Sequence, residues 1–143
     1  MAEIEIHYKN KVSLNSLPKV GCSKDTVDYL RAIWSPHIDR IEEFLVICLN
    51  RANKVLGFSV IGQGGLSGTV ADPKVIFQVA LKANASSIIL AHNHPSGNLK
   101  PSTNDVELTK KIQSAGKFLD LTVLDHIILS SDSYLSFADT GFI

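Results

Sequence analysis

Residues 86–105 read SSIILAHNHPSGNLKPSTND, and this stretch decides the architecture. SSIILAHNH (86–94) begins as a continuous apolar run, the pattern of a buried strand. STND (102–105) fits S-x-x-[DE], the capping box that opens a helix. From there STNDVELTKKIQSAGKFL (102–119) sets Val106, Thr109, Ile112, Ala115 and Leu119 near one helical face. PSG (95–97) and KP (100–101) mark the turn between them. LTVLDHIILSS (121–131) is a second buried strand. Two apolar strands flanking a helix predict an α/β domain with a mostly buried mixed sheet.

The same reasoning extends outward. EFLVICLN (43–50) and KVLGFSVIG (54–62) read as apolar strands, with NRAN between them as a hairpin. ADPKVIFQVALKAN (71–84) reads as a helix with Asp72 as N-cap and Pro73 in the first turn. SKDTVDYLRAIW (23–34) reads as a helix capped by Ser23 and limited by Pro36, with Val27, Leu30, Ile33 and Trp34 at helical spacing. EIEIHY (3–8) alternates as a short strand with one wet face would. Residues 9–21 read as an irregular connection, and SYLSFADTGFI (133–143) closes the chain.

With 143 residues, 45% of them hydrophobic, the chain can bury one core without disulfides. Two cysteines, Cys22 and Cys48, are too few for a disulfide framework or a cysteine-based zinc site. Cys48 reads as a small core residue. Fourteen basic and fourteen acidic side chains give no net charge, which leans against a general nucleic-acid binder. MAEIEIHYKN has no apolar stretch of the signal-peptide kind, and no run approaches the roughly 20 apolar residues of a membrane span. The expected location is the cytoplasm. GQGGLSG (62–68) carries neither GK[ST] nor a helix-opening GxGxxG, so a phosphate cradle is rejected.

His92 and His94 are two residues apart, so on a strand both imidazoles face one side. Asp105, at the start of the next helix, can complete a three-ligand set. Two nitrogens and one oxygen suit Zn²⁺ and leave a position open for water. The plainer reading stands beside it. A histidine pair on a strand is more often hydrogen-bonded than ligating, and Ser102 with Asp105 makes a capping box without any chemistry.

The whole spacing, H-x-H, seven residues, S, two residues, D, resembles the signature of the JAMM metalloproteases, also called MPN+ or JAB domains. His92, His94, Ser102 and Asp105 match it at each fixed position. NASSIILAHNHPSGNLKPSTND, LTVLDHIIL and SFADTG further resemble the RadC family of bacterial JAB-domain proteins, from about residue 42 to the C-terminus. The resemblance implies a single mixed-sheet domain flanked by helices, of the JAB/MPN (cytidine-deaminase-like) type. Residues 1–41 would be a strand, connection and helix preceding the core, and 42–143 the RadC-like domain, all in one globular unit.

The resemblance also implies roles. His92, His94 and Asp105 look like ligands of one zinc ion per chain. Ser102 would stabilise developing negative charge, and an upstream glutamate would be the general base. EEF (42–44) supplies two, with Glu42 fitting the family pattern and Glu43 the alternative. Asp125 and His126 would support a ligand from behind; a satisfied core histidine is the plainer reading of His126. His7 and His37 receive no role. The segment 62–70 is expected to border a substrate groove. The implied reaction is hydrolysis of a peptide or isopeptide amide in a peptide or protein substrate. The alternative is a DNA-repair-associated binding module with a structural or vestigial metal. Longer RadC proteins carry a helix-hairpin-helix region for DNA ahead of this domain, which residues 1–41 do not resemble.

Overall fold

The strand read from SSIILAHNH lies at the middle of the sheet. The computed structural model describes residues 2–7, 9, 11–64 and 71–143. Their order is a 3-10 turn at Leu14–Ser16, then α1 (Ser23–Ile33), β1 (Glu43–Leu49), β2 (Val55–Gln63) and α2 (Pro73–Lys82). β3 (Ser87–Asn93), α3 (Thr103–Phe118), β4 (Thr122–Leu129), β5 (Tyr134–Ser136) and α4 (Phe137–Thr140) complete the chain. The strands form one sheet in the order β2-β1-β3-β4-β5. β3 runs antiparallel to β1 and parallel to β4, and the outer pairs are antiparallel. The α/β, mixed-sheet expectation therefore holds.

Helices cover both faces. On one, Val46, Cys48, Ile88 and Leu90 pack with Ile76, Phe77 and Ala80 of α2 and Ile112 of α3. On the other, Ile47, Leu49, Ile89, Ala91 and Ile127 pack with Val27 and Leu30 of α1. Every residue of β1 and β3 is buried, which explains why both read as continuous apolar runs. Burying each such Leu, Ile or Val side chain stabilises the fold by about 1.5–3 kcal/mol. Burial also pushes the Cys48 thiol up to about 11, as befits a small core residue. No helix among the described residues is long and apolar enough to cross a membrane.

Local chemistry sets the ends. Asp72 caps α2 by accepting from Lys74 N at 2.9 Å. In the β1–β2 hairpin, Asn50 Oδ1 accepts from Ala52 N and Lys54 N at 3.0 Å each, and Asn53 takes the left-handed conformation at φ 58°. Two expectations are corrected. Ser23 is the first helical residue of α1 rather than its cap; the N-cap position belongs to Cys22, whose side chain makes no capping bond. Asp25 reaches back to accept from Gly21 N at 2.9 Å, and Ser23 Oγ bonds Asp139 instead of capping. Residues 3–7 form no strand, with Ile4 and Ile6 88% and 80% exposed; Tyr8 lies outside the described residues. Alternation needs a partner, and beside the start of β2 the partner is 18–20. Val20 N donates to Asn53 O at 2.9 Å and Val55 N to Pro18 O at 2.8 Å. Of the segment 62–70 read as a groove border, residues 65–70 also lie outside the described residues.

Gly116 in α3 is required by a close approach. A Cβ there would collide with the backbone carbonyl oxygen of Leu121, where the chain turns from α3 into β4. In an open helix Gly→Ala stabilises by about 1 kcal/mol. Here Gly116→Ala is expected to destabilise, lowering the urea midpoint at unchanged slope; a raised midpoint would contradict the packing described.

Candidate metal site

Strand register builds the first half of the site. Phe44 of β1 lies opposite His92 of β3, and the two rings stack at 5.7 Å and 9°. His94 sits just past β3, and its N–H extends the ladder by donating to Leu129 O at 2.9 Å. The turn closes with Gly97 N donating to His94 O at 3.0 Å, and Gly97 holds φ 82°. The two side chains point the same way, with His92 Nε2 3.0 Å from His94 Nε2. His94 Nδ1 lies 2.6 Å from the backbone oxygen of Asn98. A carbonyl only accepts, so in the neutral ring Nδ1 carries the proton and Nε2 is bare.

The start of α3 builds the second half. Ser102 Oγ accepts from Asp105 N at 3.0 Å, and Asp105 Oδ2 accepts from Ser102 N at 2.8 Å. This is the capping box expected from STND. The same carboxylate places Oδ1 3.4 Å from His92 Nε2 and Oδ2 3.6 Å from His94 Nε2. Capping and site are thus two contacts of one side chain. Ser102 is exposed. Its oxygen is an acceptor in the box, which leaves its O–H free to donate elsewhere.

The two adjacent glutamates face opposite ways. Glu42 lies with the histidines: one atom each from Glu42, His92 and His94 fall within 4.8 Å of one another, a group that can hold a metal ion. Glu43 is buried away from them, bonded to the Ser35 hydroxyl and accepting from Gln63 Nε2 at 3.2 Å. Asn93, between the two histidines, fixes this strand start. Its Oδ1 accepts from Glu43 N at 2.7 Å, and its Nδ2 donates to Ile38 O and Ile41 O at 2.7 and 2.9 Å. Glu42, Phe44, His92, Asn104, Asp105 and Leu108 line a cleft of about 240 Å³.

Asp125 and His126 also part company. Asp125 accepts from His126 N, Ala138 N and Ser136 Oγ at 2.7, 3.0 and 2.6 Å, so it ties β4 to the start of α4. His126 points to the site, with Nε2 2.7 Å from His92 Nδ1 and Nδ1 2.6 Å from Thr109 Oγ1. Simple alternation does not give this. Ile88 pairs with Val123 but Ile89 with Asp125, so Leu124 is an extra residue in β4. The bulge reverses the parity and turns Val123 and His126 to the same side. Sequence reasoning missed Asn93, Asn104 and Thr109 as parts of the site; only the place of Asn93 inside H-N-H gave any signal.

The electrostatics reflect the contacts. The Asp105 carboxylate, an acceptor for the protonated ring, raises His94 above the ordinary histidine value, outweighing burial, and the Asn98 carbonyl adds to it. Burial alone would push Asp105 up, but the facing His92 and His94 rings hold its carboxyl well below the usual range. Burial drives His126 far down, and the neighbouring His92 adds to that, which keeps it neutral. Burial also raises Asp125.

A mixed-sheet α/β domain with two imidazoles and two carboxylates gathered at the end of its central strand is the class this geometry defines. A profile of the family described as RadC-like JAB domain matches residues 20–142. The chain belongs to the RadC-like JAB domain family. The match begins upstream of residue 42 and takes in α1. Among its relatives are proteins called UPF0758 protein. That of Flavobacterium johnsoniae is 42% identical over 144 residues, covering 99% of this chain and 61% of the relative. That of Porphyromonas gingivalis is 43% identical over 146 residues, covering 100% and 63%. That of Thermosynechococcus vestitus is 47% identical over 95 residues, covering 66% and 38%. The chain spans less than two thirds of the length of these curated relatives.

Because a protonated imidazole cannot ligate, proton and metal compete for His94. Its raised value means that a divalent transition metal held there would bind with full affinity only at alkaline pH. That affinity falls as pH drops through a midpoint above 6.5. Chelator competition across that range measures it. A flat profile, or a midpoint below 6.5, would contradict the Asp105–His94 contact.

Proposed function

We propose that this domain is a zinc-dependent hydrolase of peptide or isopeptide amides. The observation that carries it is the convergence of His92 Nε2, His94 Nε2 and the Asp105 carboxylate, with Glu42 beside them. Two imidazole nitrogens 3.0 Å apart need a proton or a cation between them, and the carboxylate beside them favours a cation. Two nitrogens and a carboxylate oxygen form a donor set suited to zinc. His92, His94 and Asp105 would hold it. Bound zinc supplies a Lewis acid that polarises a carbonyl and lowers the pKa of water to about 7.

The remaining steps belong to the chain. Asp105 suits the role of ligand because the capping box fixes it. Glu42 suits the role of base because, among the described residues, no hydrogen bond ties its carboxylate down. Glu42 accepts the proton of the attacking water and returns it to the leaving amine nitrogen as the carbon–nitrogen bond breaks. Ser102 donates its free O–H to the negative charge developing on the carbonyl oxygen. Phe44 and Leu108 form an apolar wall of the cleft, against which an extended peptide can lie.

Glu42→Gln is expected to retain zinc and to cut turnover of peptide and isopeptide substrates by about 10²–10⁴-fold, the usual weight of a general base. Unchanged turnover in this variant, or a zinc-loaded wild type that cleaves none of a broad substrate panel, would contradict the proposal.

A further inference from the structure

On the metal-site reading above, we propose that Thr109 and His126 are positioning residues that fix the ring tautomer of His92, keeping its Nε2 bare and aimed at the metal. The two histidines differ in how this is done. His94 Nδ1 faces a backbone carbonyl, which settles its tautomer outright. His92 Nδ1 faces the ring nitrogen of His126 at 2.7 Å, and a ring nitrogen can donate or accept. Something beyond His126 has to decide.

Thr109 is the group beyond it. Its Oγ1 lies 2.7 Å from the backbone oxygen of Asp105 and 2.6 Å from His126 Nδ1. The Asp105 carbonyl accepts only, so the hydroxyl can donate there. The hydroxyl oxygen then accepts from His126 Nδ1–H. A neutral imidazole protonated at Nδ1 has its lone pair on Nε2. His126 Nε2 therefore accepts from His92 Nδ1–H, and His92 Nε2 is left without a proton.

The reverse arrangement has the hydroxyl donating to His126 Nδ1 and His126 Nε2–H donating to His92 Nδ1. It also makes three hydrogen bonds, the third from His92 Nε2–H to the bare His94 Nε2 at 3.0 Å, but it gives up the hydroxyl's bond to the Asp105 carbonyl. Its proton sits on His92 Nε2, where the metal would bind, so a bound cation admits only the forward arrangement. Thr109, His126 and His92 are each about 1% exposed or less, so these groups depend on one another.

Packing holds the rings in place. His126 stacks on Phe137 at 4.6 Å and 28°, and meets Phe44 edge-on at 5.5 Å. Thr109 also lies one turn beyond Asp105 in α3 and bonds its carbonyl. One hydroxyl thus anchors the backbone of one ligand and the tautomer of another.

Two measurements test this. Imidazole nitrogen NMR of the zinc-loaded protein is expected to show His92 and His126 protonated at Nδ1. Chelator competition with zinc and cobalt(II) is expected to show Thr109→Val weakened by about 10–100-fold, the usual cost of losing a partner behind a ligand. Thr109→Ser, which keeps the hydroxyl, is expected to bind near wild type. His126→Phe, which keeps the packing and removes the acceptor, should weaken binding like Thr109→Val. A His126 proton on Nε2 in the zinc-loaded protein would overturn the proposal. So would wild-type affinity in a folded Thr109→Val, or a Thr109→Ser as weak as Thr109→Val. A wild type that takes up neither metal would defeat the metal-site reading itself, whereas a wild type that binds zinc no better than a folded Thr109→Val defeats this proposal alone.

Discussion

The reciprocal hydrogen bonds between Ser102 and Asp105 are the constraint on which the rest of the site depends. They fix the residue at which α3 begins. With that start set, helical geometry orients every later side chain of α3. Asp105 is held with its carboxylate 3.4 and 3.6 Å from the two imidazole Nε2 atoms. Thr109, four residues on, sits one turn deeper and reaches both the Asp105 carbonyl and His126. A helix started one residue later would rotate all of these by about 100°, since each residue turns the helix by that much. A local device for satisfying orphan N–H groups thereby sets long-range geometry between α3 and β3.

The network behind the site is buried and polar, which is costly unless every group is partnered. His92, Asn93, Thr109, Asp125, His126 and Glu43 all have hydrogen-bond partners. Among the described residues, Trp34 Nε1 is the buried side-chain polar atom without one, and it lies away from the site. Such a satisfied network resists rotation of any single ring. That rigidity keeps two imidazole nitrogens pointed at one spot, 3.0 Å apart.

Much of this was legible in the sequence because it rests on local rules. Alternation along β3 put His92 and His94 on one side, S-x-x-D announced the cap, and apolar runs marked the buried strands. Adjacent strand residues facing opposite ways limited Glu42 and Glu43 to one at the site; only the structure shows that it is Glu42. What was not legible depends on neighbours distant in sequence. The extra residue Leu124 is visible only against β3, and without it His126 would face away. The alternation of EIEIHY looked like a strand, but the edge beside the start of β2 pairs with 18–20 instead. Ser23 looked like a cap until Asp25 was seen to serve Gly21. Thr109 read as one more residue on an apolar helix face.

The most direct test of the central claim is a calorimetric metal titration of the wild type against Asp105→Asn. An asparagine oxygen can still accept from Ser102 N, so the cap and the fold survive while the charge facing the histidines is lost. The account predicts one zinc ion per chain in the wild type and no measurable uptake in Asp105→Asn, with unchanged circular dichroism. Equal uptake by both proteins, or none by the wild type, would contradict it.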